Sequence, residues 1–223
     1  MIVKKLIVLF FISLLLNYNP TNSGEIIYEV EINNEYKASK KVSLLIKSAS
    51  NVDFILKFSA HQSTFHKLST LSNESKKGIN LTEIFAGGKD SFYYNNKNKE
   101  IINSKEIGGE SILLKKEVIR WKLTKQEKKI GNYNCFKAIA LDADGALSNI
   151  IAWYSIDIPI PFGPNRYNNL PGLIIKLGDD IVTYTAKKIT LNKKAIKIDK
   201  PINGLKLSEQ EFREKFKGVL SRN

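Results

Sequence analysis

The segment from Ala152 to Leu177 constrains the fold most, because it places four of the chain's six prolines between two strand-like apolar runs. These prolines are Pro159, Pro161, Pro164 and Pro171. Proline fixes φ at about −65° and has no backbone N–H, so the stretch between the runs is neither a helix nor a central strand. The sequence therefore predicts an ordered loop, and this loop carries no catalytic motif.

Residues 1–23 have the three parts of a secretory signal. Lys4 and Lys5 precede an apolar run from Leu6 to Leu16, and a polar stretch follows it. The run is about 11 residues long, whereas spanning a bilayer takes roughly 20. We expect cleavage before Gly24, export to the periplasm, the outer membrane or beyond, and a mature chain that does not span the membrane. An uncleaved membrane anchor is the alternative.

The remaining residues, 24–223, are enough for a single β-rich domain with a sizeable core. A single cysteine, Cys135, excludes an intramolecular disulfide. The formal net charge is +13, but nearly all the basic residues are dispersed lysines. Nucleic-acid readout favours clustered arginine forks, so the composition disfavours a nucleic-acid partner. Weak attraction to an anionic membrane or polysaccharide stays open.

Most of the mature chain alternates apolar and polar residues with period two, which predicts half-buried antiparallel strands. The turns Asp144-Gly145 and Gly178–Asp180 fit tight hairpins. The predicted strands are Glu25–Ile32, Lys41–Lys47, Val52–Ser59, Thr64–Ser69, Ser91–Tyr94, Ile112–Val118, Ile119–Leu123, Cys135–Leu141, Ser148–Ile156, Leu173–Leu177 and Ile181–Leu191.

A helix is predicted at the C-terminus, over about 208–221. Ser208 and Glu211 form a capping box, and Phe212, Phe216 and Leu220 follow at helical spacing. The segment from Leu71 to Gly88 is aperiodic and predicts a loop with a short helical turn. The fold class is therefore mainly β: a single curved antiparallel sheet, shaped as a half-barrel or a nearly closed barrel, with a C-terminal α-helix that lays its two phenylalanines on the sheet.

Residues that could carry chemistry are few. His61 and His66 have no third ligand nearby in sequence, and Cys135 has no base in a local motif. The chain also has no G-x-S-x-G elbow and no glycine-rich phosphate loop. We therefore predict no catalytic residue, no metal ligand and no cofactor.

Four residues in the middle of the proline loop have no obvious structural role: Phe162, Asn165, Arg166 and Tyr167. We predict that they contact a ligand or a partner. Pro171-Gly172 fits the centre of a type II turn, in which glycine takes a positive φ. In the preceding strand, alternation predicts that Trp153 is buried and that Tyr154 lies on the opposite face.

The motif Leu170-Pro-Gly-Leu-Ile174 after Gly163-Pro164 resembles the motif that names the GLPGLI family of exported Bacteroidetes proteins. In and near this motif, the positions that fit the family's pattern are Trp153, Tyr154, Ile158, Pro159, Gly163, Pro164, Leu170, Pro171, Gly172, Leu173 and Ile174. Tyr93-Tyr94, Ile119–Leu123 and Ile130–Ala138 resemble the pattern elsewhere in the chain. Asn169 departs from it, because the family has glycine there. The resemblance implies an exported protein of a Gram-negative envelope, and the family carries no established activity.

Three hypotheses follow for function. The first is a non-enzymatic envelope protein that binds a lipid, another apolar or amphiphilic ligand, or a protein partner on the concave face of the sheet. The second is an accessory subunit of an outer-membrane complex that docks an outer-membrane protein through the proline loop. The third is an enzyme of unrecognised type.

Overall fold

The computed structural model describes residues 23–33, 36, 39–69 and 79–220. This part of the chain contains twelve strands and four helices. The strands are β1 (Ser23–Ile32), β2 (Val52–Ser59), β3 (Gln62–Lys67), β4 (Ser91–Asn95), β5 (Glu100–Ile107), β6 (Glu110–Lys116), β7 (Arg120–Ile130), β8 (Tyr133–Leu141), β9 (Leu147–Ser155), β10 (Leu173–Gly178), β11 (Val182–Asn192) and β12 (Leu205–Leu207). The helices are α1 (Lys40–Ser48), α2 (Leu81–Phe85), α3 (Glu209–Lys215) and α4 (Lys217–Leu220).

All twelve strands form one sheet, in the order β12-β6-β5-β4-β3-β2-β1-β11-β10-β9-β8-β7. Every pairing is antiparallel except that of β12 with β6, which is parallel. The predicted class, mainly β with a C-terminal helix, is confirmed. The hairpins β8–β9 and β10–β11 confirm the two predicted turns.

The connection between β6 and β7 shows how strongly the sheet curves. β6 is second from one edge and β7 is the other edge, so ten strand spacings separate them in the order above. In a flat sheet that is about 48 Å. Residues 117–119 alone join the two strands, and four Cα steps reach only about 15 Å. The sheet therefore curls until β7 approaches β6, but it stays open, with β7 and β12 as its edges.

The concave face of the sheet holds the core. Ile26, Tyr28 and Val30 of β1 are fully buried, as alternation predicts. The Tyr28 hydroxyl donates to the Ile174 carbonyl at 2.6 Å, which ties β1 to β10. We call the opposite, convex side the outer face.

One predicted strand was wrong, and two strands, β5 and β12, were missed. Lys41–Lys47 lies within helix α1, where Val42 and Ile46, four residues apart, are both half-buried. β5 was missed, because Asn103 interrupts its apolar pattern. Asn103 is nevertheless buried, and its amide donates to the Asp90 carboxylate at 3.2 Å. A buried amide is tolerated when its hydrogen bonds are satisfied.

The predicted capping box is present at the start of α3. The Ser208 hydroxyl accepts from the Glu211 N–H at 3.2 Å, and the Glu211 carboxylate accepts from the Ser208 N–H at 2.7 Å. The helical stretch is interrupted at Phe216, which is buried and lies 5.0 Å from the Phe212 ring. Within the aperiodic segment, α2 supplies the predicted helical turn.

The predicted signal is residues 1–23, of which 1–22 lie outside the described residues. Its last residue, Ser23, is the first residue of β1. No helix in the described ranges is long and apolar enough to cross a membrane.

Candidate functional site

The proline loop, residues 159–172, is ordered without regular secondary structure and packs inside the curved sheet. Ile158, Ile160 and Phe162 are buried, while Pro159 and Pro161 between them face outward. Proline holds this stretch extended, and an extended chain alternates its side chains. The prolines therefore aim three apolar side chains into the core.

Phe162 is 0% exposed. Its ring lies 5.5 Å from that of Phe58 on β2 and 6.1 Å from that of Tyr94 on β4. The prediction that Phe162 has no structural role was wrong, and it is not available to a partner. The loop's own side chains occupy the concave face on which a ligand was predicted.

Polar contacts hold the second half of the loop. Asn168 is buried, and its side-chain oxygen accepts from the Gly163 N–H at 3.1 Å. Its carbonyl accepts from the Trp121 indole of edge strand β7 at 2.9 Å. These bonds satisfy buried polar groups, so the loop has one defined shape.

The predicted type II turn at Pro171-Gly172 is wrong, since Gly172 has no positive φ. Glycine is needed there because a Cβ would lie 2.1 Å from the Ser155 carbonyl oxygen. The positive φ values fall instead on Asn165, at 56°, and Asn169, at 73°. Asparagine tolerates this region of backbone conformation, so neither position needs glycine.

Asn165, Arg166 and Tyr167 lie together at the turn of the loop and are half-buried. Burial raises the pKa of the Tyr184 hydroxyl, and the neighbouring Asn165 side chain acts against this rise. The Arg166 guanidinium lies 3.7 Å from the Glu209 carboxylate of α3, and the Tyr167 ring is 6.3 Å from that of Trp121. Each of these three residues thus has a neighbour within the protein. Phe162 does not join them, because it is buried in the core.

The Glu209 carboxylate is the electrostatic link between the loop and the C-terminal helix. The Lys116 ammonium forms an ion pair with it at 2.8 Å and lowers its pKa more than burial raises it. Arg166 and Arg213 lower that pKa further. The carboxylate therefore stays ionised and connects the end of β6 to the loop.

Trp153 and Tyr154 occupy the faces opposite to those predicted. Tyr154 is buried in the core with its ring 6.0 Å from that of Phe136, and Trp153 is half-buried on the outer face. Alternation placed the two rings on opposite sides, but it does not say which side is covered.

The surroundings of Cys135 determine the chemistry of its thiol. The Cys135 thiol donates to the Tyr133 carbonyl at 3.6 Å, and burial raises its pKa to about 11. A protonated, buried thiol is a poor nucleophile. In the described ranges no three His, Cys, Asp or Glu side chains lie close enough to hold a metal ion.

The outer face carries an apolar groove that the sequence did not predict. Residues 193–203 cross this face, and Ile198 packs on Tyr93, Ile102 and Leu113. Next to Ile198 lies a groove of about 500 Å³. Its apolar walls are Ile102, Leu113, Pro201, Ile202 and Leu207, and its polar residues are Glu100, Lys115, Lys200, Lys206, Ser208 and Glu211. We call this the outer groove.

The rim of the outer groove is weakly basic. Lys200 binds both oxygens of Glu100 at 2.7 Å, and Glu211 is held in the capping box. Lys115 and Lys206 form no ion pair with any carboxylate in the described part of the chain. Two lysines therefore remain free to attract an anionic group at the groove's mouth.

A sequence signal for the outer groove existed in the segment Ile196–Ile202, where three isoleucines alternate with charged residues and proline. That pattern indicates a strand-like stretch with one apolar face. The pattern does not show which strands the stretch crosses or where a groove remains beside it.

Residues 145–176 match a family described as a protein of unknown function, Porph_ging. This range contains β9, the proline loop and most of β10. No curated protein matches the sequence. Two solved structures of PNGF-II, in space groups P21 and C2, resemble this chain with a TM-score of 0.54 and 16% identity over 87% and 86% of it. The chain spans about a third of PNGF-II, 33% and 32%. At this identity the likeness concerns the fold alone.

Proposed function

We propose that this chain is an exported, non-enzymatic envelope protein of GLPGLI type that holds an anionic amphiphile in the outer groove. The amphiphile's single apolar chain lies between residues 198–207 and β5–β6, and its anionic head meets Lys115 and Lys206. The observation that carries the proposal is a cavity of about 500 Å³ with mostly apolar walls and two unpaired lysines at its rim. That volume falls in the range of small-molecule sites.

Exposed apolar surface at the groove supports this assignment. Ile202 is 69% exposed at its edge, and an apolar chain that covered it would remove this area from water. Covering one isoleucine side chain contributes about 1.5–3 kcal/mol. The motif-bearing range 145–176, with its Leu170–Ile174 run, supports the family assignment.

Docking of an outer-membrane protein through the proline loop is less well supported. That function needs an exposed rim of proline, Phe162 and Tyr167, but Phe162 is in the core and Tyr167 packs on Trp121. Asn165 and Arg166 alone give a small polar patch. The outer groove is therefore the better candidate site.

The test uses hexadecanoate to displace anilinonaphthalene sulfonate, a dye that fluoresces in apolar sites, from the purified protein. Ile202→Asp should weaken hexadecanoate binding about tenfold or more, because it removes about 1.5–3 kcal/mol of burial. Ile79→Asp is the matched control, since Ile79 is 70% exposed and lies outside the groove. Lys206→Gln should weaken hexadecanoate more than a neutral alcohol of equal length.

Two results would contradict the proposal: equal binding by the parent and Ile202→Asp, or equal binding of hexadecanoate and hexadecyltrimethylammonium. Export is tested separately, by osmotic-shock fractionation of a Gram-negative host that expresses the whole chain. Recovery of the chain in the cytoplasm with residues 1–23 intact would contradict export. That result would not affect the proposal that the outer groove binds an amphiphile.

A further inference from the structure

A half-buried tryptophan on the outer face is surrounded by three lysines from three strands. Lys137 on β8 and Lys176 on β10 both stand directly opposite Trp153 of β9. Directly opposite residues have Cβ atoms about 4.5–5.5 Å apart. Lys128 of β7 places its Nζ 3.9 Å from the centroid of the indole ring. One ammonium group therefore lies over the ring, and two further lysines flank Trp153 on the neighbouring strands. We call these four residues the lysine–tryptophan patch.

No carboxylate neutralises these lysines. In the ranges that the structure describes, none of the three takes part in an ion pair. The nearby carboxylate of Asp157, which lies close to Cys135, accepts hydrogen bonds from the Ser155 hydroxyl and the Asn134 N–H instead.

The lysines repel one another across the patch. The pKa of Lys128 is lowered first by burial and then by the charge of Lys176, with a smaller effect from Lys137. Like charges close together on neighbouring strands destabilise a sheet. A bound anion would remove this repulsion.

We propose that the lysine–tryptophan patch binds a phosphate monoester carried on a sugar ring. Three neighbouring lysines without a carboxylate partner suit a dianion better than a monoanion, and lysine binds phosphate as a point charge. The part of the half-buried indole that Lys128 does not cover offers apolar contact to the sugar carbons. This site is separate from the outer groove, which lies on β5, β6 and the C-terminal segment.

The test follows the two indole N–H signals of the purified protein by NMR during titration with glucose phosphate. The chain has two tryptophans, and the Trp121 indole is engaged by the Asn168 carbonyl. We expect the Trp153 signal to shift and the Trp121 signal to stay. Lys137→Gln and Lys176→Gln should each weaken binding roughly threefold, as for one exposed charge pair.

Lys129→Gln is the matched control, because Lys129 adjoins Lys128 on β7 and alternation turns it to the other face. If Lys129→Gln and Lys137→Gln weaken the binding of glucose phosphate equally, the proposed site is wrong, because net charge alone would then explain the attraction. Equal affinity for glucose and glucose phosphate would overturn the ligand class. A second experiment uses vesicles that contain phosphatidic acid. If the protein sediments with these vesicles and does not respond to glucose phosphate, the bound anion is a lipid phosphate, and the proposal of a sugar phosphate is wrong.

Discussion

The tightest contact in the proline loop is at Gly172, and Gly172→Ala tests whether close packing or backbone conformation requires glycine there. A Cβ on Gly172 would lie 2.1 Å from the Ser155 carbonyl oxygen and 2.6 Å from its carbonyl carbon. Such contacts open to at least about 3 Å in real proteins, so the chain must shift by about 0.9 Å. Ser155 is buried and pairs with Leu173 in the ladder between β9 and β10.

The cost follows from that shift. Overpacking of a core costs about 1–3 kcal/mol, and a weakened ladder hydrogen bond adds about 1 kcal/mol. We therefore expect Gly172→Ala to lower the free energy of unfolding by about 3 kcal/mol. For a domain of this size that corresponds to a Tm lower by roughly 6–12 °C. Urea unfolding should show an earlier midpoint with an unchanged slope.

Two control glycines separate packing from backbone strain. Gly145 has a φ of 87° with nothing within 4 Å of its Cβ position, so Gly145→Ala should cost only about 1–2 kcal/mol of strain. Gly218 has neither a positive φ nor a close neighbour, and Gly218→Ala should be neutral or slightly stabilising. If Gly172→Ala unfolds at the parent's urea concentration, or is milder than Gly145→Ala, close packing is not the reason for glycine.

Trp121→Phe should lower the free energy of unfolding by about 1–3 kcal/mol in urea, because it leaves a loop carbonyl unsatisfied; an unchanged midpoint would show that this bond does not hold the loop. Arg166→Ala should leave the Tm nearly unchanged, since its pair with Glu209 is partly solvated. Tyr167→Ala should instead lower it by several degrees, and equal effects would contradict the packing against Trp121. The Cys135 thiol should react slowly with alkylating reagents at pH 8, because burial raises its pKa to about 11 from 9.0. Since the folded state holds this proton more tightly, the thiol's contribution to stability is complete below about pH 9 and is lost as the pH rises towards 11. Cys135→Ala should remove that part of the pH dependence, and an identical profile in both proteins would refute it.

The family-matched range and the proline loop coincide in the fold. Residues 145–176 supply the strands on either side of the loop as well as the loop that fills the sheet's interior. The residues that make this motif recognisable include Gly163, Leu170 and Gly172, and all three are buried at close contacts or in the core. Close packing therefore accounts for these three residues of the motif.

Short stretches of sequence specify the local features of this protein. Alternation placed β1 and its buried face, the prolines fixed an ordered loop, and Ser208 with Glu211 fixed the start of α3. Each of these depends on residues a few positions apart, so a short stretch of chain is enough to specify it. The helical spacing of Val42 and Ile46 was also a local signal, and it was misinterpreted as part of a strand.

Tertiary structure alone decided which surfaces are covered. Phe162 is buried because β2 and β4 supply Phe58 and Tyr94, and these residues lie about 70 to 100 positions earlier in the chain. The same holds for Trp153, whose exposed face depends on the direction in which the sheet curls. The outer groove exists only because the C-terminal segment crosses β5 and β6. Burial results from contacts between distant segments, and a local pattern specifies two faces without saying which of them a distant segment will cover.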